Sequence, residues 1–326
     1  MNPIPGQSCR FCESSDGMSE HTVAEMMFGT GEHFAYHRCK HCGSMENREI
    51  PTDMSRHYPD GYYSFSTDPS LRNRVKQIAH RLRARHALWK RGGWPGRLLY
   101  HRFPDPMLAS LGMLGLNTSA RILDVGCGSG SMLYTLGELG FARVLGVDPF
   151  APQDILFPHG AEIRKAGLGD VQETFDLVMF HHSFEHMEHP ENVLAHGLRV
   201  LPPGGICLIN TPNPVSEAWD TYGERWVQLD APRHLFLPSP QGLEALATRI
   251  GFEVTNIRWN STAFQFWGSE QYRMGIPLND ARSHAVNPAS SPFSRQQIRE
   301  WESMARVLNT NGRGDQYSIC LRKPLR

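Results

Sequence analysis

The apolar and polar positions from Met107 to the end of the chain follow two alternating patterns, short apolar runs and longer stretches with helical spacing. Apolar runs of roughly four to eight residues bounded by turn residues are typical of buried strands, and their alternation with helical stretches is typical of parallel βαβ units. Seven strands, with helices between five of them, predict an α/β fold with a doubly wound sheet, whose ligand binds beyond the carboxyl ends of the strands. The predicted strands are RILDVG from Arg121, RVLGVD from Arg143, a weak AEIRKA from Ala161, FDLVMF from Phe175, GGICLIN from Gly204, FEVTNIRW from Phe252 and QYSICLRK from Gln316.

A further helical pattern precedes the sheet, after an aromatic loop that contains GYYSF. From Leu71 to Trp89 apolar residues recur mostly three or four positions apart, and most of the other positions are basic. No Asp or Glu lies between Pro69 and Pro104, a stretch with ten Lys and Arg residues. Three arrangements suit such a helix: its apolar face packs on the neighbouring domain, the helix lies on a membrane surface, or its basic side chains bind phosphates. We expect the packed arrangement, with the charges in water.

The overall charge is balanced, because the 326 residues include 33 Lys and Arg and 33 Asp and Glu. The chain as a whole therefore has no field that favours nucleic acid or an anionic membrane. The first residues, MNPIPGQSC, lack the apolar core of a signal peptide, and no apolar run reaches the roughly 18 residues of a membrane span. We expect a cytoplasmic protein.

Four of the seven cysteines form two C-x2-C pairs near the start of the chain, Cys9 with Cys12 and Cys39 with Cys42. Two such pairs, 26 residues apart, can set four thiolates tetrahedrally around Zn²⁺. A disulfide scaffold is not expected in a reducing compartment. The sequence therefore predicts a closed, structural zinc site in a small zinc-ribbon-like module, with a hairpin between the two pairs.

The first predicted strand of the sheet ends in D-x-G-x-G-x-G, with Asp124 followed by Gly126, Gly128 and Gly130. Glycines let the backbone turn sharply and approach a ligand without Cβ atoms in the way. A dinucleotide fingerprint would instead read G-x-G-x-x-G and hold a pyrophosphate. Asp124 would repel phosphate but suits an ammonium or a hydroxyl. Asp148, which ends the next strand, is placed to accept hydrogen bonds from ribose hydroxyls.

ILDVGCGSG and VLGVDP resemble the first two motifs of the class I S-adenosylmethionine-dependent methyltransferases. The resemblance implies a Rossmann-like methyltransferase sheet that binds S-adenosylmethionine. By the same resemblance the three glycines line the methionine and ribose portion of the donor, Asp124 helps to hold its amino end, and Asp148 binds the ribose diol.

The stretch from FDLVMF through HHSFEH to LPPGG is similar to the branch of this family with a Glu-His pair after the fourth strand and a P-G-G turn before the fifth. The resemblance covers roughly Ala120 to Thr255. It implies that Glu185 and His186 face the methyl donor, with His186 as general base and Glu185 orienting it or holding a substrate hydroxyl. The other interpretation is that the pair mainly shapes the loop. His181, directly after the strand, would contact the donor's amino group through its backbone carbonyl.

Two insertions distinguish the chain from a minimal fold of this kind. The first, at 213–232, holds Trp219, Tyr222 and Trp226, and we expect it to cover the substrate. After it, the stretch PRHLFLPSPQGLEALATRIGFEV again resembles this branch, which implies that Arg233 and His234 enter the site, His234 as a second base, as a substrate ligand or as a capping residue. The second insertion, at 261–312, includes a helix predicted to be capped by Ser294 with Gln297, and either completes the acceptor pocket or forms a homodimer contact.

These observations divide the chain into three regions: the zinc-ribbon-like module at 1–48, the aromatic loop and basic helix at 49–112, and the methyltransferase domain at 113–326. The combination resembles bacterial enzymes that methylate sugars, nucleotide sugars or other polar secondary metabolites, which predicts a small-molecule acceptor. An RNA methyltransferase that uses the zinc module and the basic helix is the alternative. The sequence HHSFEH is not the Asn/Asp-Pro-Pro-Tyr/Phe motif of nucleobase enzymes. A donor-binding scaffold without activity is the third interpretation.

Overall fold

The structure, a computed structural model, describes residues 8–59 and 73–325. The chain divides into two compact units. The cysteine unit comprises Met1–Tyr58, Phe184–Glu191 and Asn210–Cys320, and the sheet unit comprises Pro59–Ser183, Asn192–Ile209 and Leu321–Arg326. The GYYSF stretch and Leu71, which the sequence placed in the aromatic loop and the basic helix, lie outside the described residues.

The strands of the described residues include all seven that the sequence predicts. In chain order the strands are β1 (Met18–Ala24), β2 (His33–Cys39), β3 (Met45–Asn47), β4 (Arg121–Val125), β5 (Arg143–Val147), β6 (Ile155–Leu156), β7 (Glu162–Arg164), β8 (Leu177–His181), β9 (Ile206–Pro212), β10 (Phe236–Leu237), β11 (Glu253–Trp259) and β12 (Gln316–Arg322). The helices are α1 (Arg74–Trp89), α2 (Gly93–Arg102), α3 (Pro106–Gly112), α4 (Ser131–Glu138), α5 (Pro190–Arg199), α6 (Glu217–Tyr222), α7 (Pro240–Ile250), α8 (Phe264–Arg273) and α9 (Arg295–Thr310).

The sheet unit is built on the parallel strands that the apolar runs predict. β4 pairs in parallel with β5 on one side and β8 on the other, and β5 pairs in parallel with β7. Within this unit the strand order is β9-β8-β4-β5-β7-β6. Leu123, Leu145 and Leu177 are fully buried, as expected of parallel strands covered on both faces. The short strand β6, which the sequence did not predict, pairs antiparallel with β7.

The cysteine unit contains the predicted hairpin, in which β1 and β2 pair antiparallel from Met18 opposite Cys39 to Ala24 opposite His33. β3 extends this sheet, and β10 pairs with β3 through Phe236 opposite Glu46. The N-terminal residues, expected to form a module by themselves, thus share one compact unit with residues 210–320. In the same unit β11, β12 and the last residues of β9 lie side by side.

The aromatic insertion at 213–232 forms much of the core of the cysteine unit. Trp226 is fully buried in a cluster that also contains Tyr36 and Met45 from the N-terminal sheet, and its indole nitrogen donates to Asp315 at 3.1 Å. Trp219 and Tyr272 are buried in the same cluster. Within this unit these aromatic rings fill the interior, and the expected role of the insertion in covering the substrate stays a prediction.

Helix α9 begins as the sequence predicts. The Ser294 hydroxyl accepts a hydrogen bond from the Gln297 backbone nitrogen at 3.2 Å, and the Gln297 side chain accepts one from the Ser294 nitrogen at 2.9 Å. This reciprocal capping box satisfies two backbone donors at the start of the helix. No helix among the described residues has the length and apolar character needed to cross a bilayer.

Candidate functional site

The turn after β4 lies in the sheet unit and requires glycine. Gly126, Gly128 and Gly130 have φ values of +74°, +51° and +73°, all in the left-handed region that side-chain-bearing residues rarely adopt. A Cβ atom on Gly126 would lie 2.5 Å from the Cβ atom of Ser183, and one on Gly130 would lie 2.6 Å from Ile163 Cδ1. α4 begins directly after the turn. The backbone conformation and the close approach of Ser183 and Ile163 thus both require glycine at Gly126 and Gly130.

Two carboxylates flank the turn at the ends of neighbouring strands. Asp148, after β5, accepts hydrogen bonds from the Gly128 nitrogen at 3.0 Å and from the Phe150 nitrogen at 2.9 Å. Asp124, in β4, is buried, and its Oδ1 atom has no hydrogen-bond partner among the described residues. Burial, and then the charge of Asp148, raise the pKa of Asp124 to about 7. A buried, unsatisfied carboxyl beside a second carboxylate suits a ligand that brings a positive charge or hydroxyl donors.

His181 lies at the end of β8 and is exposed, with its ring 5.1 Å from the ring of His182. His182 follows with a φ of +50°, so the chain turns sharply where the strand ends. The contact of the His181 carbonyl with a donor stays a prediction.

Glu185 and His186 belong to the cysteine unit, in a short 3₁₀ turn from Phe184 to His186. Glu185 is fully buried and His186 is half-buried. The Nδ1 atom of His186 lies 2.8 Å from the carbonyl oxygen of Arg233, and 3.3 Å from the Tyr58 hydroxyl. Because a carbonyl oxygen only accepts, Nδ1 carries the proton, and the lone pair of the neutral ring is at Nε2.

His234 lies beside this pair, with its ring centroid 4.8 Å from that of His186. Its Nδ1 atom donates to the Gln228 carbonyl at 2.8 Å, and its Nε2 atom is 3.9 Å from a carboxylate oxygen of Glu185. Burial, and then the neighbouring His186, lower the pKa of His234 to about 4, so the ring is neutral at pH 7. One ligand atom from each of Glu185, His186 and His234 lies within 4.8 Å of the others, so the cluster could also hold a metal ion.

Arg233, which the family resemblance implied to enter the site, has its guanidinium in a buried ion-pair network. It is fully buried, and its guanidinium donates to Asp230 at 2.6 Å and to Glu25 at 2.8 Å. Burial alone would lower the pKa of Arg233, but the two carboxylates hold it above its ordinary value. Glu25 was not among the residues predicted from the sequence, although a single acidic residue between VA and MMF is a signal, because a charge among apolar residues needs a partner.

The four paired cysteines come together in the cysteine unit. The Sγ atoms of Cys9 and Cys42 are 3.8 Å apart, as are those of Cys12 and Cys39, and all four lie within 4.8 Å of one another. A disulfide would need a distance near 2.05 Å, whereas a tetrahedron with metal–sulfur bonds of about 2.3 Å has edges of about 3.8 Å. A hydrogen bond from Cys9 lowers the pKa of the Cys42 thiol to about 4. The arrangement fits four thiolates around one metal ion.

The structure thus assembles the predicted residues into three groups. Asp124, Asp148 and the three glycines lie together in the sheet unit, whereas the Glu185, His186 and His234 cluster and the four cysteines lie in the cysteine unit.

Comparison with known proteins gives one family match and several relatives. Residues 97–257 match the family described as "Methyltransferase domain". The mitochondrial ubiquinone biosynthesis O-methyltransferase of Candida albicans is 31% identical over 122 residues, which are 32% of this chain and 36% of that protein. The corresponding protein of Nitrosococcus oceani is 29% identical over 180 residues, 49% of this chain and 73% of that one.

A tRNA U34 carboxymethyltransferase of Idiomarina loihiensis is 29% identical over 179 residues, 49% of this chain and 54% of that protein. Of these relatives, the Candida albicans protein is matched over only about a third of its own length. Among solved structures, an S-adenosylmethionine-dependent methyltransferase from Mesorhizobium loti covers 68% of this chain and 99% of its own, at 18% identity and a TM-score of 0.43.

Proposed function

We propose that this chain, which carries a class I S-adenosylmethionine-dependent methyltransferase domain at residues 97–257, transfers a methyl group to a polar small molecule. The acceptor atom is a hydroxyl oxygen or a carbon of a sugar, a nucleotide sugar, a glycan or another secondary metabolite. The observation that carries the proposal is the pair of carboxylates, Asp124 and Asp148, beside a turn of three left-handed glycines.

The residues of the turn fit S-adenosylmethionine. When bound, this donor supplies a methyl group on a positively charged sulfur, already activated for displacement. The glycines leave the backbone open to the methionine and ribose portion. The unsatisfied Asp124 carboxyl is assigned to the donor's amino end, and Asp148, which accepts hydrogen bonds from the backbone of the turn and lies at the end of the next strand, is assigned to the ribose hydroxyls. His181 is assigned a backbone contact to the same amino group.

The side chains of the Glu185, His186 and His234 cluster are assigned to the acceptor. A hydroxyl is a poor nucleophile until a base takes its proton, and the Nε2 lone pair of His186 can do so. Glu185 would orient the imidazole or hold a substrate hydroxyl. His234, whose pKa is near 4, stays neutral at pH 7 and is suited to accept a hydrogen bond, although it is a weak base.

The four cysteines are assigned to one structural Zn²⁺ ion. Sulfur from Cys9, Cys12, Cys39 and Cys42 would fill all four positions, which leaves none for water or substrate. The ion would hold together the turns that start and end the β1–β2 hairpin, and it takes no part in the methyl transfer.

Methylation of RNA is the second candidate. The match to a tRNA-modifying relative and the basic composition of α1 and α2 favour it. The polar cluster of Glu185, His186 and His234 suits a hydroxyl or carbon acceptor in either type of molecule, so the acceptor must be found by experiment.

Donor binding tests the first half of the proposal. Calorimetry with S-adenosylhomocysteine, which keeps the amino end and the ribose, should detect binding that is up to about tenfold tighter at pH 8 than at pH 6, because Asp124 ionises between these values. Asp124→Asn should flatten this pH dependence. Absence of binding at both pH values would refute the assignment of the donor.

The acceptor is found by incubating the protein with methyl-labelled donor and fractionated cell extract. We expect label in a small polar fraction that contains sugars or their conjugates. Label that enters only RNA would replace the first candidate by the second, and donor binding without label in any fraction would favour a scaffold.

A further inference from the structure

We propose that the outward surface of α1 and α2 binds anionic lipid bilayers, with its apolar side chains in the headgroup region and its basic side chains on the lipid phosphates. This proposal is independent of the proposed reaction. It concerns the sheet unit alone, and the residues that carry it lie between Asn73 and Pro104.

The first observation is a set of large apolar side chains in water. The apolar face of α1 was expected to pack on the neighbouring domain, and its C-terminal half does so, since Trp89 stacks on Phe141 at 5.7 Å. The N-terminal half does not, because Val75 is 76% exposed and Ile78 is 56% exposed. Three further side chains of this segment are exposed, Trp94 by 77%, Leu98 by 61% and Phe103 by 53%.

The packing of α2 on α1 explains why Trp94 and Leu98 are exposed. Gly96 is buried against α1, so closely that a Cβ atom there would lie 2.6 Å from the Leu82 carbonyl oxygen. Positions two residues before and after Gly96 are each rotated by about 200° around the helix. Trp94 and Leu98 therefore point together to the outer side of α2, and Gly96 allows the close crossing that fixes this orientation.

Charge is the second observation. Residues 73–104 contain nine Lys and Arg and no Asp or Glu. On α1, Arg74 lies four positions before Ile78, and Arg81 and Arg85 lie three and seven positions after it. At these spacings the three arginines lie on the same face of the helix as Ile78. On α2, Arg102 is four positions after Leu98. The exposed apolar side chains are thus surrounded by positive charge.

This combination favours a bilayer over RNA as the partner. Phosphates of either partner would attract the basic side chains, and Trp94 could stack on a base. Contact with phosphates does not stabilise aliphatic side chains such as Val75, Ile78 and Leu98. Transfer of these side chains from water into a membrane surface lowers their free energy. An anionic leaflet satisfies both sets of side chains at once.

Flotation of the whole protein with vesicles tests the proposal. We expect binding to phosphatidylcholine vesicles with about 30% phosphatidylglycerol, weaker binding to pure phosphatidylcholine, and loss of binding as salt shortens the electrostatic range. The double variant Trp94→Ser/Leu98→Ser should bind these anionic vesicles about tenfold more weakly, because it removes apolar area that enters the bilayer. Arg97→Gln/Arg102→Gln should reduce both the binding and its salt dependence.

The matched control is Met304→Ser/Val307→Ser on α9, which removes two apolar side chains of similar exposure (50% and 58%) far along the sequence. It should bind vesicles as the wild type does. Failure to bind anionic vesicles at low salt, or equal binding by the Trp94 and Leu98 variant, would overturn the proposal. Salt-sensitive binding to a structured RNA that only the arginine variant loses, without vesicle binding, would assign the surface to nucleic acid.

Discussion

The Nδ1 atom of His186 lies 2.8 Å from the carbonyl oxygen of Arg233, the residue that anchors a buried network with Asp230 and Glu25. The carbonyl fixes the tautomer of the imidazole, so a neutral His186 offers its lone pair at Nε2. The buried arginine thus serves the neighbouring histidine through its backbone, while its own charge is neutralised by two carboxylates.

The first prediction concerns His186 as general base. His186→Ala should lower turnover by about 10²- to 10⁴-fold with the donor affinity unchanged. Single-turnover kinetics and donor calorimetry measure the two effects. His189→Ala, an exposed histidine of the same segment, is the control.

Full turnover in His186→Ala would move the base elsewhere, with His234 as the next candidate. If the cluster of Glu185, His186 and His234 acts through a metal ion, the wild type should contain a second metal ion besides the one at the four cysteines, and His186→Ala should lose only that second ion. A base mechanism predicts one metal ion per chain in both proteins.

The second prediction concerns the pH dependence of stability. His234 has a pKa of about 4 in the folded protein, below its ordinary value of 6.5, so between these values the unfolded chain binds a proton that the folded chain does not. The free energy of unfolding should therefore fall as the pH drops from about 6.5 to about 4, with a contribution from His234 of up to about 3 kcal/mol. Denaturant titrations of wild type and His234→Gln measure it. Equal slopes in the two proteins would contradict the prediction.

The third prediction concerns the glycine turn. Gly128→Val should abolish donor binding, because its φ of +51° disfavours a β-branched side chain and the added atoms would stand where the donor is assigned. Gly140→Ala is the matched control, since its φ of +88° imposes similar strain but nothing lies within 4 Å of the new Cβ. Calorimetry should show donor binding in the control alone. Unchanged affinity in Gly128→Val would place the donor elsewhere.

The sequence predicted the local features well and the long-range ones poorly. The strands around Asp124 and Asp148, the glycine turn and the Ser294 capping box depend on neighbours in the chain, so their patterns are visible in short windows. The pairing of Glu46 with Phe236 joins residues 190 positions apart, and no local pattern records it.

Two expectations about side chains differ from the structure for the same reason: the packing of the apolar face of α1 and the place of Arg233. The helical spacing of Val75 and Ile78 predicts a shared face, but that this face is exposed is visible only in the tertiary structure. The family resemblance implied that Arg233 enters the site, whereas its guanidinium is buried against Glu25, which is 208 residues away in the chain. The periodicity of apolar residues predicts which residues share a helix face, and the sequence shows where a charge stands. Only the tertiary contacts determine what that face packs against or which residue pairs with that charge.

The fourth prediction concerns the buried ion pairs of Arg233. Arg233→Met should destabilise the cysteine unit by about 3 to 5 kcal/mol, because it leaves the fully buried Glu25 and the mostly buried Asp230 without their cation. Arg282→Met, which breaks an exposed pair with Asp280, should cost much less. Chemical unfolding curves of the two variants compare them directly. A similar, small decrease in the free energy of unfolding in both variants would mean that the buried network contributes little to stability.

The last prediction concerns the metal and follows from the core that the N-terminal sheet shares with residues 210–320. The protein should contain one zinc ion per chain, and Cys39→Ser should lose it. Since Tyr36 and Met45 pack in one cluster with Trp226, loss of the ion should loosen the cysteine unit as a whole rather than a separate module. Elemental analysis and hydrogen exchange measure the two effects.

Donor binding, assigned to the sheet unit, should survive in Cys39→Ser. Cys320→Ser removes a buried thiol of the same unit that is not one of the four, and should keep both the zinc and the exchange protection of the Trp226 cluster. A wild-type protein without zinc, or with an iron chromophore, would refute the metal assignment. Exchange that rises only within residues 8–47 of Cys39→Ser would show instead that the hairpin unfolds independently, although its core is shared.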